Sequence, residues 1–349
     1  MKIRNILPIN FYYKLRFLKD FIFQKNMSLK LSQNSKIWFL DSPSYENLGD
    51  QAIAYATTKI LKDTLSNYEI IEVTENNLIK YLSFLKNKIK KDDLIVLQGG
   101  GNLGDLYPRY EFLRRQVIKN FPDNKIIIFP QSIYFSDTNK GRREKINSSN
   151  VYSNHKNLIV FARDSKSYNL MKQIFPKNEI FLCPDIALYL VNLIQNKNRE
   201  GIGICLREDT EKISLSEQEN QFIQQIYKQY NNNVHKITTF SCFNQDITLN
   251  LREKLVLDKI KEFAKYKIII TDRLHGVVFS YITNTPCIFF TSKTKKTENL
   301  YNDWFKDCQF ILPYKNNIKI EDITNNITAI QLNYSSLISV LNCGKEYIK

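Results

Sequence analysis

Short runs rich in Ile, Val and Phe alternate with segments of helical length along almost the whole chain, and this alternation is the strongest constraint on its fold. From Lys36 to about Leu190 the apolar runs are KIWFLD, EIIEVT, DLIVLQ, KIIIFPQ, LIVFAR and EIFLC, each followed by a loop and usually by a helical segment. Continuous apolar runs need cover on both faces, as strands have in a parallel sheet flanked by helices. The polar stretch VNLIQNKNRE interrupts the series, and GIGICLRE, VHKITTF, KIIIT, PCIFF and QFILP then resume it. The expected fold is α/β, with two Rossmann-like domains facing one another across a cleft. The expected boundaries are a basic amphipathic leader over 1–35, an N-terminal domain over 36–195 and a C-terminal domain over 196–349. A helical segment from about Ile320 to Leu341 can pack on either domain. A chain of 349 residues is long enough for two cores of ordinary size.

Composition narrows the function classes. The formal net charge of +15 would suit nucleic acid, an anionic membrane or an acidic substrate. The excess is carried by 38 lysines against 12 arginines, scattered among Asn and Ile. It forms no basic stripe with interleaved stacking aromatics and no zinc-finger spacing, so nucleic acid is not an expected partner. Six cysteines (Cys183, Cys205, Cys242, Cys287, Cys308 and Cys343) make no CxxC pair, which fits reduced thiols in a cytoplasmic protein. No run reaches the roughly 18 apolar residues that span a bilayer. The leader lacks a cleavage site of small residues, yet Phe11, Leu15, Leu18 and Ile22 recur at helical spacing beside Lys14, Arg16, Lys19 and Lys25. That face could rest on an anionic inner leaflet or on the protein's own core, and peripheral membrane contact through residues 1–30 stays open.

Chemistry-bearing residues gather at the expected carboxyl ends of strands, where open α/β sheets place their ligands. After KIIIT comes DRLHG, which puts Arg273 and His275 where a strand gives way to a helix whose apolar pattern begins after Gly276. A guanidinium and an imidazole beside a helix N-terminus suit an anion. A lone Arg-x-His can also be a solvated loop or a capping pair. After KIWFLD, Asn47, Gly49 and Asp50 form a tight turn that can cap the next helix. After DLIVLQ, three glycines including Gly100 and Gly101 leave backbone amides open to a ligand, with Asn102 and Asp105 beside them. No Gly-Lys-Ser/Thr or GxGxxG pattern accompanies them, so nucleotide binding is not implied. Arg163 and Arg207 end two further strands; either alone could merely pair with a surface carboxylate. Arg163, Arg207 and Arg273 together could neutralise a small, highly charged ligand such as a phosphorylated carboxylic acid.

The ordered set NLGDQA, LIVLQGGGNLGD, IIIFPQS, FARDSKS, CPD and TDRLHG resembles the polysaccharide pyruvyl transferases over about residues 36 to 310. The resemblance implies a GT-B-like fold, phosphoenolpyruvate as donor, and a sugar of a cell-surface polysaccharide or its lipid-linked precursor as acceptor, joined as a pyruvate ketal. It gives His275 the acid/base role and Arg273, Arg163 and Arg207 the donor contacts. Asn47, Gly49, Gly100, Gly101, Asn102, Gln131 and Asp185 carry over as substrate-binding positions. Asp50, Asp105 or Asp185 could serve as the hydroxyl base, and the residues do not choose between them. No cofactor or metal is expected. A rival is a nucleotide-sugar glycosyltransferase, whose paired glutamates Glu211 and Glu219 imitate in spacing. A second rival is a non-catalytic glycan- or membrane-binding protein, in which His275 would be dispensable.

Overall fold

The structure, a computed structural model, describes residues 15, 18, 19, 22, 23, 31–191, 193, 194, 198–207, 214–242, 246–291, 294–316, 318, 320, 323 and 332–343. The chain divides into two compact units, one of residues 1–44, 57–186 and 334–349 and the other of residues 45–56 and 187–333.

The first unit is built on β1 (Lys36–Ser42), β2 (Glu69–Thr74), β3 (Leu94–Leu97), β4 (Gly100–Gly104), β5 (Ile126–Tyr134), β6 (Leu158–Ala162) and β7 (Glu179–Leu182). They form a parallel sheet in the order β2-β1-β3-β5-β6-β7, with β4 pairing the later half of β5. Strands such as β1, β3 and β6 are buried along their whole length, as their unbroken apolar character requires. Helices α1 (Leu48–Thr64), α2 (Leu82–Lys88), α3 (Pro108–Asn120), α4 (Asn139–Ser153) and α5 (Ser165–Ile174) connect them. α4 and α5 begin on side-chain caps, Thr138 accepting from the Gly141 amide and Asp164 from the Ser167 amide.

The second unit carries β8 (Ile202–Cys205), β9 (Val234–Lys236), β10 (Ile268–Thr271), β11 (Cys287–Phe289) and β12 (Ile311–Pro313), all parallel, in the order β12-β11-β10-β8-β9. Its helices include α6 (Glu217–Tyr230), α7 (Leu249–Ala264), α8 (Leu274–Ile282) and α9 (Lys296–Leu300). Read from β9, this is the doubly wound order 2-1-3-4-5, and the direction of winding reverses between β8 and β10.

Three segments depart from the sequence boundaries, one of them residues 187–195, expected in the N-terminal domain and found in the second unit. Residues 45–56, expected in the N-terminal domain, belong to the second unit. The Leu48 amide donates to the Thr239 carbonyl at 2.8 Å, the Ser241 amide to the Glu46 carbonyl at 2.8 Å, and Asn47 bridges Phe240 in antiparallel fashion. The C-terminal helix, α10 (Ser335–Cys343), within the expected 196–349 span but left able to pack on either domain, belongs to the first unit. The Tyr334 hydroxyl donates to the Asp185 carbonyl at 3.0 Å and Lys125 Nζ to the Val340 carbonyl at 3.2 Å. These ties join residues far apart in sequence, where no local pattern announces them. Much of the expected helix before Ser335 lies outside the described residues.

Candidate active site

In the second unit the reversal of winding puts the ends of β8 and β10 side by side, and both carry arginines. Thr271, the last residue of β10, donates its hydroxyl to the Cys205 carbonyl at 2.7 Å and accepts the Arg273 amide at 3.0 Å. Asp272 accepts the Arg207 amide at 2.8 Å, which binds the end of β8 to the turn after β10. Burial pushes the Asp272 carboxyl up, while that amide and the Arg207 and Arg273 guanidiniums pull it down. The Arg207 main chain is thereby held against the turn that carries Arg273.

α8 starts earlier than its apolar pattern suggests. Arg273 occupies the N-cap position with extended backbone, and His275 falls in the first turn instead of the preceding loop. Gly276 makes this packing feasible, because a Cβ there would lie 2.3 Å from Thr271 Oγ1. The buried Arg273 guanidinium lies over the Phe240 ring, 4.9 Å from its centroid. His275 is half-buried, and its ring rests on Gly49, where an added Cβ would sit 2.2 Å from both Cγ and Nδ1.

The turn that brings Gly49 there is held by its own polar residues. Asn47 Oδ1 accepts the Gly49 amide at 3.0 Å, and the Asp50 carboxylate accepts from Asn47 Nδ2 at 2.8 Å and Tyr45 Oη at 3.1 Å. Beneath it, buried Gln51 Oε1 accepts from Arg252 Nε of α7 at 2.7 Å. Six of the expected site residues thus share one unit: Asn47, Gly49, Asp50, Arg207, Arg273 and His275.

The other expected residues lie in the first unit and are tied into its framework. Arg163 is buried; its Nη1 donates to Asp185 Oδ2 and its Nε to Ser132 Oγ, at 2.8 and 2.7 Å. The two positions expected to contact substrate are therefore each other's ion-pair partners. Gln131, also buried, donates to the Gln98 carbonyl at 2.7 Å and accepts the Asn102 amide at 3.3 Å. The glycine run is not an open loop of amides. Gly100 to Gly104 form β4, with positive φ at Gly100 and Gly104, and a Cβ on Gly104 would lie 1.8 Å from the Tyr134 carbonyl oxygen. Gly101 and Asn102 fall within this strand. Asn102 Oδ1 accepts from the buried Arg114 at 2.6 Å, and Arg114 also pairs with Glu111 at 2.8 Å. Asp105 accepts the amide and hydroxyl of Ser136.

Two further histidines and one glutamate can be placed. Burial lowers the pKa of His155, whose Nε2 meets the Phe121 carbonyl at 3.0 Å in the core, while His235 is exposed on β9. Glu219 completes a capping box with Ser216 at the start of α6, a structural task for a carboxylate; Glu211 lies outside the described residues. Sequence reasoning missed Asp272, Phe240 and the Gln51–Arg252 pair. Asp272 and Gln51 had a signal, their places within TDRLHG and NLGDQA.

The model of one protein family, described as polysaccharide pyruvyl transferase, matches residues 47–294. The chain belongs to the polysaccharide pyruvyl transferase family. Among curated relatives of this pyruvyl transferase family member, general stress protein 30 of Bacillus subtilis is 35% identical over 299 residues, covering 85% of each chain. Pyruvyl transferase 1 of Schizosaccharomyces pombe is 28% identical over 295 residues, covering 78% of this chain and 70% of its own. A crystal structure of an uncharacterised protein from Klebsiella pneumoniae shares the fold, with a TM-score of 0.56 at 17% identity, over 88% of this chain and 99% of that one.

Proposed function

We propose that the chain transfers a pyruvyl group from phosphoenolpyruvate to two hydroxyls of a saccharide, forming a ketal and releasing phosphate. The observation that carries this reading is the junction of β8, β10 and α8, where Arg207 and Arg273 flank a helix N-terminus whose first turn holds His275. Such a junction suits a small polyanion.

The chemistry asks for a proton at the methylene carbon of the donor, which leaves its central carbon electrophilic. One sugar hydroxyl adds there, the C–O bond to phosphate breaks, and a second hydroxyl closes the ketal. The two hydroxyl protons balance the one gained by the new methyl group and the one leaving with phosphate. His275 serves as the proton-transfer group and the arginines hold the donor's charges. Of the three candidate bases, Asp50 is favoured. It lies in the same unit as His275 and is half-buried, whereas Asp105 and Asp185 lie in the first unit and Asp185 is buried against Arg163. The buried Arg163–Asp185 pair then acts by shaping the first unit rather than by gripping the donor directly.

The acceptor is proposed to be a polysaccharide or its lipid-linked precursor, reached in the cytoplasm at the inner membrane face through the basic leader. Among the described residues, no helix is long and apolar enough to cross a membrane. A thermal-shift comparison tests the donor. Phosphoenolpyruvate at 100 times its dissociation constant should stabilise the protein by about 2.7 kcal/mol, and uridine nucleotides should not. The reverse pattern would favour a nucleotide-sugar transferase.

A further inference from the structure

We infer that Phe240 is a positioning residue for the donor site, holding the plane of the Arg273 guanidinium; this rests on the reading of Arg273 as a donor contact. Arg has a rigid planar fork, so what it recognises depends on the orientation of that plane as much as on its charge. A long side chain reaches such an orientation only if something fixes it. Here the guanidinium carbon lies 4.9 Å from the centroid of the Phe240 ring, within the range of cation–π attraction. The ring attracts the cation without accepting a hydrogen bond from it.

Phe240 is itself held. Thr239 accepts the Leu48 amide and Ser241 donates to the Glu46 carbonyl, so the backbone on both sides of Phe240 is laddered onto the turn carrying Gly49. That turn supports the His275 ring. One short segment, residues 239–241, therefore registers the guanidinium through its side chain and the imidazole through its main chain. No motif in the sequence marks this segment, because the contact joins two side chains from separate loops.

The test is phosphoenolpyruvate binding by calorimetry with the full chain and two variants. Phe240→Leu keeps an apolar side chain but removes the π face; Phe240→Tyr keeps it. The Leu variant should melt near the wild-type temperature and bind phosphoenolpyruvate about 3- to 30-fold more weakly. The Tyr variant should bind within about twofold of wild type. Equal affinity of the Leu variant and wild type overturns the inference, as does equal weakening in Leu and Tyr, which would mean packing and not the ring's charge distribution. A wild-type protein that fails to bind phosphoenolpyruvate overturns the donor reading itself, and the inference with it.

Discussion

Gly49 lies in the first turn of α1, and its contact with His275 would make it a determinant of the proposed proton-transfer geometry. Gly49→Ala gains up to about 1 kcal/mol of helix propensity near the start of α1. It also forces the imidazole away from a Cβ that would otherwise lie 2.2 Å from its ring. Displacement of an acid/base group by about 1 Å can cost 10²-fold. The expected outcome is a thermal midpoint near that of wild type with pyruvyl transfer slowed about 10- to 100-fold. Full turnover in a normally folded variant would show that the ring's seat on Gly49 does not matter. Asp41 offers a second residue-scale test. It is buried at the end of β1 with φ of 63°, its Oδ1 accepts the Gln98 amide at 2.7 Å, and burial pushes its carboxyl up to about 7. With the folded pKa above the unfolded one, the penalty is absent below about pH 4 and grows as the pH rises toward 7. Asn tolerates the left-handed backbone and keeps the acceptor. Asp41→Asn should therefore stabilise the protein by about 1–3 kcal/mol at pH 8 and by little at pH 4, read from urea unfolding at both. Equal gains at the two pH values would mean that Asp41 ionisation is not what is being relieved.

Gln98 and Gly99 separate β3 from β4, which pair with successive parts of β5, and β4 is backed by a buried polar network. Glu111 accepts from Arg114 at 2.8 Å, from Ser148 at 2.6 Å and from Tyr152 at 3.2 Å, with Asn102 on the other side of the guanidinium. Removing one member of such a pair strands a buried charge. Arg114→Met should destabilise the protein by about 3–5 kcal/mol in denaturant unfolding, and adding Glu111→Gln should recover a large part of that loss. A single-variant loss below about 1 kcal/mol would show that water or another cation already compensates Glu111. The same element shows where sequence reading stops. Eleven apolar runs each correspond to an observed strand, because burial on both faces writes itself into consecutive residues. β4 is made of GGNLG, which has no such run; it pairs with β5 because glycines allow positive φ and close approach to Tyr134. Site residues follow the same rule. The positions of Arg207 and Arg273 just beyond strand ends were legible, but the place of His275 inside the first turn of α8 and the burial of Arg163 against Asp185 were not, since a strand-end position does not reveal which carboxylate faces it.

At the scale of the whole chain, the net charge of +15 is distributed in a way that singles out the leader. Its first 30 residues hold Lys2, Arg4, Lys14, Arg16, Lys19, Lys25 and Lys30 against Asp20 as the one acidic residue. Among the described residues, Leu15, Leu18 and Ile22 are helical and, with Phe23, 42 to 69% exposed. Phe11, Lys14, Arg16 and Lys25, which complete the expected amphipathic pattern, lie outside the described residues. Large apolar side chains beside a positive flank suit the boundary of an anionic bilayer, where apolar insertion and attraction to headgroups add. The alternative destination, the protein's own core, predicts a different response to the same change. Replacing Leu15, Leu18 and Ile22 together by Ser should leave the thermal midpoint unchanged and abolish co-sedimentation with phosphatidylglycerol vesicles, while wild-type binding should itself weaken as salt rises toward about 0.5 M, because exposed charges are screened. If the triple variant instead melts several degrees lower and the wild type ignores the vesicles, the face covers protein and the acceptor is met away from the membrane.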